Sequence, residues 1–303
     1  MRHALALALL AAALPCSAQE GGGKPLWDLQ TPYRWKVGDK VRVKQRQDQT
    51  QRVVTRAGLQ VVDEQTQRTG FEQRYLLLVT KVDEKGRIAE ATRRYEELTD
   101  LSRGDRGEPV QVGGLEVRWI RDPDGALRWE APPGATLDPF LREVLNEDQE
   151  EKDAPGKAAE GQEGAVDATR LLLPTKPVAE GESWELPLKE VQAAFGVEAG
   201  DVLEKKLQGR LGAVEPGTAP APTYLQVELV LELKARSFQG TPCPKPVEYA
   251  LTGSARLPHA GASPEKKLAL QGLIRGAAPA EEAGAQLEFE VRLHMSEEHT
   301  RAD

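Results

Sequence analysis

Once the first eighteen residues are set aside, three histidines and one cysteine carry most of the chain's capacity for reactive chemistry. His259, His294 and His299 all fall within the last fifty residues, which leaves little room for Ser-His-acid or Cys-His schemes. The nearest approach to a metal site is His294-Met295-Ser296-Glu297-Glu298-His299. Ligands five apart diverge on a helix and point to opposite faces of a strand, and the spacing departs from His-Glu-x-x-His, in which both histidines share a helical face. The expectation is a frayed terminal segment. Cys243 lies in Thr241-Pro242-Cys243-Pro244-Lys245-Pro246, which reads as a proline-stiffened loop with no neighbour to activate the thiol. No serine occupies a Gly-x-Ser-x-Gly elbow, and no glycine-rich loop has the strand-loop-helix setting that cradles a phosphate. Asp122 and Asp124 are accounted for as hairpin-turn residues rather than calcium ligands, and Arg103-Gly104-Asp105 as a turn. Carboxylates are abundant, and two of them can converge for glycoside hydrolysis without leaving a sequence signature. The expectation is no cofactor, no metal and no enzymatic activity, with a hydrolase using unrecognised carboxylates as a remote alternative.

The elements that would position these residues are strands. Leu225, Val227, Leu229, Leu231 and Leu233 alternate with polar residues, as do Leu287, Phe289, Val291 and Leu293. Alternation over this length gives a sheet with one dry face and one wet face, as antiparallel meanders permit. Val247, Tyr249, Leu251 and Leu268, Leu270, Ile274 repeat the pattern less cleanly. In the first half, Lys40 to Thr55 reads as a long strand with Gln45, Gln47, Gln49 and Gln51 on one face. Strands over Leu59 to Gln67 and Phe71 to Val82 follow, then a turn at Asp83-Glu84-Lys85-Gly86 into Arg87 to Leu98. Leu115, Val117 and Trp119 form a further hairpin with Leu127 and Trp129. One helix starts at Asp138 as N-cap, with Pro139 in its first position and Phe140, Leu141, Val144 and Leu145 on one face. A second short helix spans Leu188 to Phe195. The fold class is mainly β: an antiparallel meander forming a curved sheet, open barrel or sandwich, with one or two short helices.

Charge divides the chain. The formal net charge is −8, and most of it sits between Asn146 and Asp167, where eight acids face only Lys152 and Lys157. That stretch has no aromatic residue and cannot repay the entropy of ordering, so 146–168 reads as an acidic flexible linker between an N-terminal strand-rich half, 24–145, and a C-terminal β-meander half, 169–300. Residues 1–18 read as a signal peptide: Arg2, an apolar run from Ala4 to Leu14, and the small-residue region Pro15-Cys16-Ser17-Ala18 before Gln19. Pro15 stands where a lipobox wants a small residue, so lipid anchoring at Cys16 is not expected. No later apolar run approaches the ~18 residues a membrane helix needs, and no basic surface suggests nucleic acid.

Each half opens alike. Val37-Gly38-Asp39-Lys40-Val41-Arg42-Val43 can be laid against Glu180-Gly181-Glu182-Ser183-Trp184-Glu185-Leu186, a Gly-acid step leading into a strand. The run Leu173 to Trp184, with Trp35-Lys36-Val37-Gly38-Asp39, resembles the strand-start signature of uncharacterised secreted bacterial β-rich proteins, which carry no assigned reaction. Long antiparallel strands with a small helical segment also resemble, in outline, the half-barrel of LolA-type lipoprotein carriers. That likeness implies an apolar ligand cavity.

The reading is an exported, non-catalytic β-protein, periplasmic or extracellular. It is expected to bind an apolar or lipidic ligand on the face formed by Leu225, Val227, Leu229, Leu231, Leu233, Leu287, Phe289, Val291 and Leu293. The alternative is a cell-envelope interaction or scaffold protein with no small-molecule ligand. A continuous cavity marks the first, and an exposed apolar patch marks the second.

Overall fold

The computed structural model describes residues 25–29, 33–122, 127–153, 173–195, 197, 199–217, 223–238, 241–259, 262–280 and 285–302. The expected signal peptide lies outside them, as does Asp124 of the hairpin turn. After β1 (Leu26–Trp27), the chain lays down β2 (Lys40–Ala57), β3 (Gln60–Val82) and β4 (Ile88–Asp100). Short strands β5 (Glu108–Pro109), β6 (Glu116–Arg121) and β7 (Leu127–Glu130) follow, then helix α1 (Pro139–Asp153). The second half runs through β8 (Val178–Ala179), β9 (Ser183–Glu185), α2 (Leu188–Phe195), β10 (Val202–Glu215), β11 (Tyr224–Phe238), β12 (Thr241–Pro258), β13 (Lys266–Pro279) and β14 (Ala285–Arg301).

The long strands form one antiparallel sheet of twelve strands in the order β7-β6-β4-β3-β2-β14-β13-β12-β11-β10-β9, with β5 added beside β4. The sheet is open, ending at β7 and β9, so of the three architectures compatible with the alternation it is the open sheet that forms. The two halves share it through β14 and β2, paired from Ala285↔Ala57 to Arg301↔Val41.

Two apolar cores sit on the sheet's dry face. The C-terminal one gathers Leu207, Leu211, Leu225 to Leu233 at every second position, Val247, Tyr249, Leu268 and Leu270, with Leu186 and Val191 packed against them. The N-terminal one gathers Val41, Val43, Phe71, Tyr75, Val79, Tyr95 and Leu98 under Leu141, Val144 and Leu145 of α1. Asp138 caps that helix, its Oδ1 accepting the Phe140 N–H at 2.8 Å. The helix continues to Asp153, so the first part of the stretch read as linker is helical; residues 154–168 lie outside the described ones. The opposite, wet face is laced with cross-strand ion pairs such as Arg118–Glu90 at 2.8 Å and Arg275–Glu248 at 2.6 Å.

Several boundaries differ from the sequence reading. The two strands expected around Gly70 are one strand, because Gly70 takes φ +137° and lets β3 continue; a Cβ there would lie 2.0 Å from the Gln47 carbonyl oxygen. The proline-rich segment around Cys243 is the start of β12, not a loop. Its pairing with β13 begins only at Glu248, so Pro242, Pro244 and Pro246 lie where one side of the strand needs no N–H donor. Residues 25–29 do not belong with the N-terminal half: Leu26–Trp27 pairs with Val178–Ala179, and Leu29 is buried in the C-terminal core.

The two strand starts make the same bonds. The Asp39 carboxylate accepts the Lys36 N–H at 2.7 Å, and Glu182 accepts the Ala179 N–H at 2.8 Å. Gly38, at φ 91°, donates to the Val79 carbonyl, and Gly181, at φ 84°, to the Leu211 carbonyl. Val79 and Leu211 in turn donate to Asp39 and Glu182, at 3.0 Å and 2.9 Å. In each half a glycine turn with an acid behind it fixes the register of the first strand.

Candidate functional site

Where the two cores meet, the dry face turns polar. Strand register places Leu268, Glu297, Gln45 and Gln73 in one row across β13, β14, β2 and β3, and Lys266, His299, Val43 and Tyr75 in the next. Glu297 and His299 therefore continue the face begun by Leu287, Phe289, Val291, Leu293 and Met295, since every second residue of a strand shares a face. The expectation of a frayed terminus is overturned: His294 to His299 lie in β14, flanked by β13 and β2. Their charges are tolerated because neighbouring strands supply partners. His294, an odd number of residues from His299, lies on the wet face, so the two histidines do not converge.

Glu297 is the centre of the seam. One oxygen, Oε1, receives Lys266 Nζ at 2.6 Å and His299 Nε2 at 2.5 Å. The three side chains retain only 9%, 13% and 10% of their exposure, for Lys266, Glu297 and His299. Burial by itself would raise the Glu297 carboxyl, but Lys266 and His299 outweigh it and hold the group well below the usual carboxylate range. Burial and the Lys266 cation push His299 the other way from a surface histidine, favouring neutral imidazole, with Arg93 adding to the effect and Glu297 opposing it. Beside this triad Gln73 Nε2 donates to Gln45 Oε1 at 2.7 Å. Arg93 stacks over the rings of Trp119 at 3.9 Å and Tyr75 at 4.7 Å.

Among the described residues, two acceptors of the seam have no partner. His299 Nδ1 and Gln73 Oε1 are buried without a hydrogen bond, although Gln73 is only 1% exposed. Each would be expected to find one at that depth. Among the described residues no group of three or more His, Cys, Asp or Glu side chains is placed to hold a metal ion. On the wet face, Asp48 is held by Arg68 and Arg46 at 2.7 Å each, the Arg68 hydrogen bond foremost in keeping its carboxyl low.

The expected apolar face is placed as follows. Leu225, Val227, Leu229, Leu231 and Leu233 are buried in the C-terminal core, as are Phe289 and Val291; Leu287 and Leu293 are half-buried. Cys243 is half-buried, and burial pushes its thiol pKa up, the opposite of activation. Asp122 accepts a hydrogen bond from Arg128 Nε at 3.1 Å.

A second feature is exposed rather than buried. Beyond Gly70, β3 leaves β4 and runs with β2 alone to a two-residue turn at Gly58-Leu59. At this tip Leu59 is 98% exposed, Val62 60% and Val61 51%. A register shift between Thr55 and Arg56 reshapes the strand pair there. No family model and no curated protein matches the chain.

Proposed function

We infer that the protein is an exported, non-catalytic interaction protein of the cell envelope, and that the β2–β3 tip is its contact element. The observation that carries this reading is the apolar tip: three large aliphatic side chains displayed at a hairpin end whose β3 edge, Gln60 to Thr69, is free of β4. Apolar side chains clustered at an exposed hairpin end, beside a strand edge left open, are the kind of patch that serves as a protein contact. A photo-crosslinking residue at Leu59 should capture one discrete protein in cells. The triple substitution Leu59→Ser, Val61→Ser, Val62→Ser should abolish that adduct when the crosslinker is moved to Gln60, with the urea midpoint unchanged. A crosslinking pattern indifferent to the triple substitution would reject the reading.

A carrier of apolar or lipidic ligands is the second reading, supported by the continuous aliphatic face of β11. Those side chains already pack against Leu207, Tyr249 and Leu270 within one core, which favours a structural role for them. Lipid extraction and mass spectrometry of natively purified protein separate the two: a stoichiometric lipid would favour the carrier.

A further inference from the structure

The strand edge behind the apolar tip deepens the interaction reading, on which it rests, by setting how a partner can be held. The Gly70 carbonyl accepts the Leu101 N–H, so Gly70 turns its backbone polar groups away from β2. Alternate residues of a strand share that direction, and the β2–β3 ladder is regular from Asp63 to Gly70. The N–H and C=O of Arg68, Thr66 and Glu64 therefore point outward. The loop after β4 reaches the first of these, its Asp105 carbonyl meeting Arg68 Nη1 at 3.0 Å. Glu64 and Thr66 lie beyond it, in a stretch where every residue from Ala57 to Gln67 is exposed.

Elsewhere the sheet guards its edges. Its two ends, β7 and β9, are only 4 and 3 residues long. Where β12 runs ahead of its pairing with β13 it carries Pro242, Pro244 and Pro246, which cannot donate to an added strand. Gln60 to Gln67 contains no proline and no lysine. Its charge selects rather than blocks. Glu64 is matched by Arg52 at 2.8 Å, whereas Asp63 accepts only the Gln65 amide, at 2.8 Å, and has no cation among the described residues. A strand laid antiparallel along β3 would set one residue directly opposite Asp63 in a pair without hydrogen bonds, where side chains approach most closely. We propose that the open edge of β3 binds an extended segment of a partner protein by strand addition. The segment pairs with the backbone of Glu64 and Thr66 and places a lysine or arginine opposite Asp63.

The test uses the full-length mature protein and, as probe, the end-blocked peptide Thr-Val-Lys-Val-Thr-Val-Lys-Val-Thr. The peptide should bind saturably and slow hydrogen exchange at the Glu64 and Thr66 amides, which exchange rapidly in the free protein. Its valine amides face β3 when a lysine lies opposite Asp63, so their N-methylation should abolish binding. Glutamate in place of lysine should weaken binding about threefold, and Asp63→Lys should reverse the preference between the two peptides. Thr66→Pro removes an outward N–H without touching the ladder with β2 and should weaken binding about tenfold. The Leu59→Ser, Val61→Ser, Val62→Ser protein should keep the peptide, so loss of the crosslinked adduct in that variant reports on the interaction reading alone. A specific adduct at Leu59 without peptide binding would retain the interaction reading and sink this one. Binding that tolerates N-methylation, or that leaves the Glu64 and Thr66 amides unprotected, would overturn strand addition even if Thr66→Pro did not fold. A dimeric wild-type protein with those amides already protected, and a monomeric Thr66→Pro, would give the edge to a second copy and overturn it equally.

Discussion

Replacing Glu297 by leucine tests whether the seam is held by charge. The carboxylate accepts from both Lys266 and His299 through a single oxygen, so its removal strands an ammonium and an imidazole N–H in a site where about nine-tenths of each side chain is covered. Loss of one partner from a buried pair destabilises a protein by about 3–5 kcal/mol. The Lys266 side chain keeps a little exposure, which places the expected loss near the lower figure, about 3 kcal/mol. The comparison that isolates the cause is the combined replacement Lys266→Met, Glu297→Leu, His299→Phe. It removes every polar group of the triad while keeping apolar volume, and buried ion pairs replaced by packed hydrophobes are often neutral in stability. Urea unfolding of the four proteins, wild type, Glu297→Leu, Lys266→Met and the triple, should show a large drop in midpoint for each single change and recovery in the triple, with similar m-values. If the triple loses as much as the two singles added together, the residues act as independent packing groups and the coupling described here is wrong.

Acid should destabilise the fold in two stages. The folded-state pKa values of His299 and Glu297 both lie below their ordinary values of 6.5 and 4.5, so the unfolded chain takes up each proton first; stability is full above pH 6.5, falls as His299 is titrated, and falls again below 4.5. In His299→Phe, a plot of unfolding free energy against pH should show the upper stage reduced to the part contributed by His259, whose folded-state pKa burial also lowers, and an undiminished upper stage would refute the assignment. Gly70→Ala should lower stability by about 2–4 kcal/mol, since its Cβ meets the Gln47 carbonyl in a backbone conformation unsuited to side chains; an unchanged melting temperature would contradict that geometry. Leu229→Asp should prevent folding or destabilise it by several kcal/mol, whereas Glu228→Gln, on the wet face, should change stability by about 0.5 kcal/mol or less in the same urea assay.

What could be read from the residues was the part governed by periodicity. The two-residue alternation of β11 and β14 placed their dry faces correctly, and Asp138-Pro139 marked the start of α1. The seam was within reach of the same rule, because Glu297 and His299 keep step with Leu293 and Met295. What conceals it is that charged residues near a chain end look like fraying, and nothing local announces that Lys266, on another strand, is their partner. The continuity of β3 through Gly70 was hidden for a related reason: glycine between two strand-like runs reads as a break, and only the carbonyl of Gln47 across the ladder shows why glycine must be there. The choice of an open sheet depends on the pairing of β2 with β14, a contact between distant parts of the chain that no short window contains.

That pairing has a consequence for the order of assembly. On the ribosome, or on emerging from a translocation pore, β2 appears early and its partner β14 last, so one whole side of an eighteen-residue strand must wait for nearly all of the chain to follow. An unpaired edge of that length invites pairing with other molecules. The composition of β2 suits the delay: it carries the cations Arg42, Lys44, Arg46, Arg52 and Arg56, with Gln45, Gln47, Gln49 and Gln51 in its middle, so the waiting strand repels its own copies and stays hydrated. The residues that later make this strand an odd, half-polar centre for a folded sheet are the same ones that keep it safe before the sheet exists.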